Sequence, residues 1–591
     1  MSETGVRGQL EGLVKSLSGT ALGAAGEVAG AAGGVVDRVV PFVDGDQPER
    51  LIRAARVLID AGVVSPEGPD TLARMLKTLV DWDMTPAAGF IVSAMRYPDD
   101  PAIVDEKGTL TFGEVDRRTN ALANAFRDEG IDADDSVAIM CRDHRWFVEA
   151  TVALGKLGAT ALLYNTHFAG PQLKEVTERE DPAAVVYDEE FGEALEEALE
   201  GRKAFVAWTD GDSSDTTVED LIERGDDSPP DSPDSPGKTT LLTSGSTGTP
   251  KGASRSSPDV IEAVGAMFSK IPLRAREPTF FAAPLFHAWG FLQFSLGLLL
   301  SSTYVLRRKF DPEETLKAIA ENDVTTLVIV PIMLQRILDL DDDVRKKHDT
   351  SSLRVVASSG GALSGDLAHE WMDEFGDNLY NMYGSTEVAW AAIGTPEELR
   401  AAPGTAGTPP PGTSVRILDE ESKKEVDAGE TGEVFVGNRM LFEGYTGDEE
   451  GEEMVDGHMT TGDLGYLDED GRLFVEGRAD DMIVSGGENV YPEEVEEALE
   501  KHDGVSEAAV IGVDDDEWGE RLKAFVVKDG EVSEDDLKSH VKDNLAKYKV
   551  PREIEFVDEL PRKDQGKVDK KKLEEESEDD SADSDSSEDS S

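Results

Sequence analysis

One cysteine, Cys141, stands among 591 residues. An intrachain disulfide framework and a cysteine-built metal cluster are therefore excluded, and Cys141 is expected to be a small buried hydrophobe. Basic residues are scarce beside acidic ones: Lys plus Arg number 58 against 123 for Asp plus Glu, a formal net charge of -65. Phosphate backbones and anionic lipid surfaces need a basic face, so nucleic acid is not an expected partner. The opening MSETGVRGQLEG lacks a basic region followed by an apolar core, so no secretory signal is expected and the protein is placed in the cytoplasm. Hydrophobic residues make up only 39%, yet apolar stretches recur and can build cores. The acidity therefore reads as that of a halophile, where concentrated salt screens repulsion within a few Å. An acidic partner-binding protein at ordinary salt is the alternative.

What is present is length and alternation. Single cores stop growing at about 250–300 residues, so 591 residues imply several domains. Residues 1–90 form a prefix, with Leu10, Leu13, Val14 and Leu17 at helical spacing and then an Ala/Gly-rich run. A loosely helical extension is expected there; a peripheral membrane contact is the sharper alternative, although the basic face such helices favour is missing. From Pro101 strand and helix signals alternate, which implies α/β layers. The segment from Leu110 reads as a turn and then a helix, with Val115, Ala121, Leu122 and Phe126 on its apolar face. Residues 209–238 are polar and acidic and read as a solvated loop. The last 18 residues hold ten acids, seven serines and one alanine and are expected to be disordered.

Two decoys need removing. GKTT at 237–240 imitates a Walker loop, but the glycine required five residues earlier is Ser232. Residues 285–306 contain no Asp, Glu, Lys or Arg and are long enough to cross a bilayer. His287, Gln293 and three serines favour a buried helix and strand instead.

LLTSGSTGTPKG, at 241–252, is suited to wrap an anion with backbone N–H groups and hydroxyls, Lys251 adding a mobile charge. Alone it is a weak signal. Five further stretches give it weight by their order: PLFHAWG at 284–290, SSGGAL at 358–363, YNMYGSTEV at 380–388, GRLFVEGRADDMIVSGGENVYPEEVE at 471–496 with TGD at 461–463 ahead of it, and LPRKDQGKVDKKKL at 560–573. In this order they resemble the adenylate-forming superfamily of acyl-CoA synthetases, luciferases and peptide-synthetase adenylation domains. The resemblance covers roughly residues 90–573.

It implies an α/β fold: a large multi-subdomain adenylation domain over 91–479, a small mobile α+β domain over 480–573, and a disordered acidic tail over 574–591. It also implies two reactions in one pocket. A carboxylate attacks the α-phosphate of Mg-ATP, giving acyl-adenylate and pyrophosphate; the CoA thiol then displaces AMP. Thr243, Ser244, Gly245, Ser246, Thr247, Gly248 and Lys251 would hold the β- and γ-phosphates. Gly360, Gly361 and Ala362 would let adenine and acyl chain approach. Tyr383 would stack on adenine, with Gly384 and Ser385 beside it, Thr386 on phosphate and Glu387 on Mg²⁺. Asp463 and Arg478, fifteen residues apart, would meet the ribose. His287 would wall the acyl pocket, with Trp289 and Phe291 either lining it or filling the core. Lys567 would bridge the attacking carboxylate and the α-phosphate. Asp480 would be the hinge of the small domain, bringing Lys567 to ATP in one orientation and Gly486, Gly487 and Tyr491 to CoA in the other. The wording of the GGENVYPEEVE stretch is similar to acyl-CoA synthetases, and the prefix to those for medium- or long-chain fatty acids. Loading of a carrier-protein thiol, or CoA ligation of an aromatic or branched acid, are the enzymatic alternatives, and a nucleotide-binding protein without catalysis is the non-enzymatic one.

Overall fold

The N-terminal half follows the alternation of its apolar residues. The computed structural model describes residues 57–63, 69–211, 213–243, 251–252, 260–385, 387–419, 422–441, 453–478, 482–515, 518–562, 568, 570, 572–574 and 577. The expected helix at 10–17 lies outside these residues, as does the expected disordered tail except for Glu574 and Ser577, which are helical. After a helical turn at 57–60 come two helices, α1 (Pro69–Trp82) and α2 (Pro86–Arg96). α2 carries Thr85 as its N-cap and Pro86 in its first turn, and buries Phe90 completely.

Strand Pro101–Asp105 pairs antiparallel with Gly108–Thr111, so the segment read as a turn is a hairpin strand. Its end supplies a capping box to α3 (Phe112–Asp128): Thr111 Oγ accepts from the Glu114 N–H, and the Glu114 carboxylate accepts from the Thr111 N–H. α3 buries Val115, Ala121, Leu122 and Phe126 as their spacing requires. α4 (Arg145–Leu157) is buried along its whole length and ends at Gly158, φ 84, a left-handed conformation that suits glycine.

Two sheets carry this half. One has eight strands in the order Ala392–Gly394, Leu379–Tyr383, Val355–Ser358, Thr326–Ile329, Pro278–Phe281, Thr303–Leu306, Pro101–Asp105, Gly108–Thr111. All its pairs are parallel except the outermost at each edge. The other has six, in the order Lys203–Val206, Ala184–Tyr187, Ser136–Met140, Thr160–Leu163, Thr239–Thr243, Lys251–Gly252. The central strands Ala184–Tyr187, Thr326–Ile329 and Val355–Ser358 are buried at every position, as parallel strands covered by helices on both faces must be.

Residues 285–306 divide into helix α5 (Ala288–Leu300) and strand Thr303–Leu306, the outcome that the polar residues favoured. Among the described residues no helix is long and apolar enough to cross a membrane. The acidic 209–238 stretch is not loop throughout. Val218–Arg224 is a helix whose capping box joins Thr217 and Asp220 and which buries Val218, Leu221 and Ile222. Exposed Asp220 caps the helix, half-buried Glu219 pairs with Arg118 and accepts from Trp146 Nε1, and three apolar residues anchor it.

Helix α6 (Pro331–Leu338) follows strand Thr326–Ile329. A five-stranded antiparallel sheet then spans Ser414–Arg478. The C-terminal part has its own sheet, Glu488–Val490, Ile483–Ser485, Gly519–Lys528 and Val505–Asp515, with Glu553–Val557 parallel to Gly519–Lys528. Helices α7 (Pro492–Glu500) and Glu534–Asn544 cover it around a separate core that includes Val495, Val510, Leu522 and Leu537. A large α/β part followed by a small α+β part is the architecture the sequence implied. The parts touch: the Trp518 ring has the Arg336 guanidinium of α6 5.0 Å from its centroid and that of Arg552 4.6 Å away, a stack that stays favourable when exposed.

Candidate functional site

Parallel strands leave the loops at their carboxyl ends to hold ligands, and the motifs sit there. In the eight-stranded sheet, PLFHAWG follows Pro278–Phe281, Val330 follows Thr326–Ile329, the 359–362 stretch follows Val355–Ser358, and Tyr383 ends Leu379–Tyr383. These four strands are immediate neighbours, so distant stretches meet along one edge. The six-stranded sheet adds three more loops: Asp143 lies after Ser136–Met140, Asn165 and His167 after Thr160–Leu163, and the anion-type loop after Thr239–Thr243. That loop closes a hairpin, with Thr243 opposite Lys251. Its Ser244, Gly245, Ser246, Thr247 and Gly248 lie outside the described residues, as do Thr386, Asp480 and Lys567.

Tyr383, Asp463 and Arg478 come together. Strands His458–Leu467 and Leu473–Arg478 form a hairpin in which Asp463 stands directly opposite Arg478, and this explains their fifteen-residue spacing. Arg478 Nη1 donates to Asp463 Oδ1 at 3.0 Å and to the Thr461 carbonyl at 3.2 Å. The Tyr383 hydroxyl donates to Asp463 Oδ2 and contacts Thr461 Oγ1. Burial, together with the Asp463 carboxylate, raises the Tyr383 phenol well above its ordinary value, so Tyr383 stays a neutral donor. A buried carboxylate beside an arginine and a tyrosine suits vicinal hydroxyls, and the tyrosine ring offers a π face. Gly384 is dictated by space: a Cβ there would lie 2.3 Å from the Ala389 carbonyl oxygen. Ser385 Oγ accepts from the N–H groups of Glu387 and Val388 at 3.2 and 3.4 Å. Half-buried Glu387 offers carboxylate oxygens, the donor type a hard cation requires.

The glycine pairs also meet. Gly360 is left-handed, φ +82. A Cβ on Gly487 of the C-terminal part would be 3.2 Å from the Gly360 carbonyl oxygen, so two backbones approach closely. A Cβ on Gly486 would sit 2.7 Å from the Trp518 ring. Gly361 stands by Pro331, Ala362 adjoins it in the same loop, and half-buried Tyr491 is the N-cap residue of α7.

His287 is not a core histidine. It is the N-cap residue of α5, half-buried, and its Nε2 lies 2.8 Å from Glu488 Oε1 of the C-terminal part. His167 Nδ1 stands 3.5 Å from the same oxygen, and Asn165 Nδ2 donates to Glu488 Oε2 at 3.5 Å. Burial would raise Glu488, but His287 and His167 hold it far below the usual carboxylate range. Burial would lower His287, but Glu488 and then Asp143 raise it above its ordinary value. Asp143 accepts from the Leu285 N–H at 3.0 Å and is pushed up to about 7 by burial, against the opposing pull of that bond and of His287. Glu488, His167, Asn165 and Asp143 were missed from sequence. Only Glu488 left a signal, as the carboxylate beside Gly487 in SGGENVYP. Trp289 is buried and donates from Nε1 to the Ile329 carbonyl at 3.1 Å, whereas Phe291 is half-buried against Phe294.

Cys141 is buried, as expected. With His144 and Asp188 it forms a metal-like grouping, but both imidazole nitrogens are in use. His144 Nδ1 accepts from the Trp146 N–H and Nε2 faces Asp188 Oδ1 at 2.8 Å, so the group is a satisfied core pair.

Comparison with known proteins agrees with this fold. The model of the AMP-binding enzymes matches residues 90–446, and that of the AMP-binding enzyme C-terminal domain matches 494–567. A feruloyl-CoA synthase of an Amycolatopsis species is 35% identical over 483 residues, 80% of this chain and 95% of its own length. The fatty acid–[acyl-carrier-protein] ligase ScoC of Streptomyces coeruleorubidus is 31% identical over 500 residues, 81% and 94% respectively. A doubly substituted o-succinylbenzoate CoA synthetase, MenE, of Bacillus subtilis bound with its product analogue OSB-NCoA superposes with TM-score 0.73 at 27% identity, covering 82% of this chain and 98% of that one. The same enzyme with its acyl-adenylate intermediate gives 0.57 at 27% identity, covering 81% and 96%. Matched across both of its parts, the chain belongs to the AMP-binding enzyme family and is an acid–thiol ligase of the AMP-forming kind.

Proposed function

We propose that this chain activates a carboxylic acid with an apolar body, a medium- or long-chain fatty acid first and an aromatic acid second, as its acyl-adenylate and passes it to CoA. The observation that carries the reading is the meeting of two groups at one sheet edge: the Tyr383–Asp463–Arg478 cluster, which suits a nucleoside, and the Gly487–Glu488 loop. The adenylation domain would span 91–479 and the mobile domain 480–573.

Asp463 would accept from the ribose hydroxyls while Tyr383 presents its ring to adenine. Thr243, Ser244, Ser246, Thr247 and Lys251 would hold the outer phosphates, and Thr386 an inner one. Glu387 would hold Mg²⁺, which supplies positive charge to the phosphates. Lys567 would orient the attacking carboxylate and offset the charge that builds on the α-phosphate. Pyrophosphate then leaves. Rotation about Asp480 would exchange Lys567 for the Gly486–Tyr491 loop, and the thiol would displace AMP. The arrangement in this structure supports the second orientation, since Glu488 is already at His287. The higher TM-score to the OSB-NCoA complex is in keeping with it.

The test is pyrophosphate release with octanoate, palmitate, ferulate and 2-succinylbenzoate, each with and without CoA. Release with a fatty acid, and CoA-dependent AMP release, are expected. Release with ferulate alone would move the substrate to the aromatic class, and release with no acid would overturn the reading.

A further inference from the structure

A second concave site lies away from the residues above. Helices α1, α2 and α3 enclose a cleft of about 440 Å³, within the range that holds small-molecule ligands. α1 turns one helical face to it, through positions 74, 77, 78, 81 and 82. α1 also lies ahead of the 90–446 stretch shared with the AMP-binding enzymes.

The charge of the cleft reverses that of the chain. Arg74, Lys77, Arg117 and Lys156 line it against two acids, Asp81 and Asp116, whereas the chain carries 123 acids to 58 bases. Two of the four cations are already matched. Lys77 pairs with Asp81 on the turn above it, and buried Lys156 donates to Asp116 Oδ1 at 2.7 Å and to Asn120 Oδ1 at 2.6 Å. Arg74 and Arg117 are exposed and have no carboxylate at ion-pairing distance among the described residues. The indole Nε1 of Trp82, another lining residue, is buried and without a hydrogen-bond partner. A buried donor left unmatched is costly and uncommon.

Apart from Thr78 and Asn120, whose side chains are already hydrogen-bonded, the rest of the wall is apolar. Ile91, Ala94 and Met95 come from one face of α2, and Pro229 and Pro230 supply a stiff lip. Guanidinium forks recognise carboxylate and phosphate in the plane of the fork, while the aliphatic wall offers no polar partner to a ligand's body.

We infer that this cleft binds a small amphiphilic anion, a carboxylate or phosphate head held by Arg74 and Arg117 on an apolar body laid against Ile91, Met95 and Pro229. The head takes the two exposed guanidiniums that have no carboxylate at ion-pairing distance among the described residues.

Titration calorimetry on the full chain tests this, with octyl phosphate, octanoate and inorganic phosphate as probes. One of the two octyl compounds is expected to bind at least tenfold more tightly than inorganic phosphate, and the better of the two identifies the head. Arg74→Gln with Arg117→Gln should weaken that binding tenfold or more and leave pyrophosphate release by the enzyme unchanged. Lys77→Gln, at the pair already satisfied, should change it by less than twofold. Both arginines are exposed, so the double variant should keep the wild-type melting temperature. Absence of octyl-probe binding to the wild type, affinity unchanged in the double variant, or equal affinity for inorganic phosphate would each overturn the inference.

Discussion

Replacing Glu488 by Gln should slow the second half-reaction and spare the first. The Glu488 carboxylate lies against His287 Nε2 at 2.8 Å, His167 Nδ1 at 3.5 Å and Asn165 Nδ2 at 3.5 Å. Gln preserves the shape and one acceptor oxygen, so the loss is the charge assistance. Hydrogen bonds to charged groups are worth roughly 1.5–3 kcal/mol against about 1 kcal/mol for neutral ones. The one short contact, to His287, therefore loses about 0.5–2 kcal/mol, a factor of roughly 2–30 in the population of this orientation. The assay separates the steps: pyrophosphate release reports adenylation, and AMP release from preformed acyl-adenylate plus CoA reports thioester formation. A loss of roughly two- to thirtyfold is expected in the second alone. The pH dependence carries a sign. His287 is raised above its ordinary 6.5, so the charged contact is complete below that value and is lost as pH climbs through the raised one. Thioester formation in the wild type should fall over that window, and Glu488→Gln should move the fall towards lower pH. Equal losses in both half-reactions, or an unchanged pH profile, would refute the reasoning.

Lys567→Ala should cost adenylation far more than thioester formation from preformed adenylate; equal losses in rapid-quench measurements would count against its assignment. Asp463→Ala removes the acceptor shared by Tyr383 and Arg478 and should raise KM for ATP by roughly 10²-fold, on the order of 2–3 kcal/mol, measured by pyrophosphate exchange, with a smaller change in KM for the acid. Activity should rise with salt because ATP, CoA and a carboxylate all approach a chain of net charge -65, and molar salt shortens the screening length to about 3 Å. A salt titration peaking below about 0.1 M would contradict it.

Much of the site was legible because it is local. The Asp463–Arg478 spacing is a hairpin register, and the strand-end loops carry their residues within a few positions of a recognisable strand. The 285–306 segment was readable because His287 and Gln293 contradict a lipid-facing helix. Two kinds of information were not local. Glu488 is one more acid in an acid-rich chain until the C-terminal part is placed against His287, more than 200 residues away in sequence. Asp143 is ordinary until the Leu285 N–H is brought to it from another sheet. The helix at 218–224 is hidden for a different reason: its capping box, Thr217 and Asp220, sits in a stretch so rich in acids that the pair does not stand out.

The contact of Arg336 and Arg552 with the Trp518 ring has a practical consequence. Arg552 and Trp518 belong to the same part of the chain, whereas Arg336 belongs to the other, so the proposed rotation would lift one cation from the indole and leave the other in place. An indole with one cation lifted away changes its emission, which makes Trp518 a built-in optical reporter of domain position. Six other tryptophans contribute background, and subtracting the Trp518→Phe signal isolates it. Turnover could then be followed in real time without attaching a label.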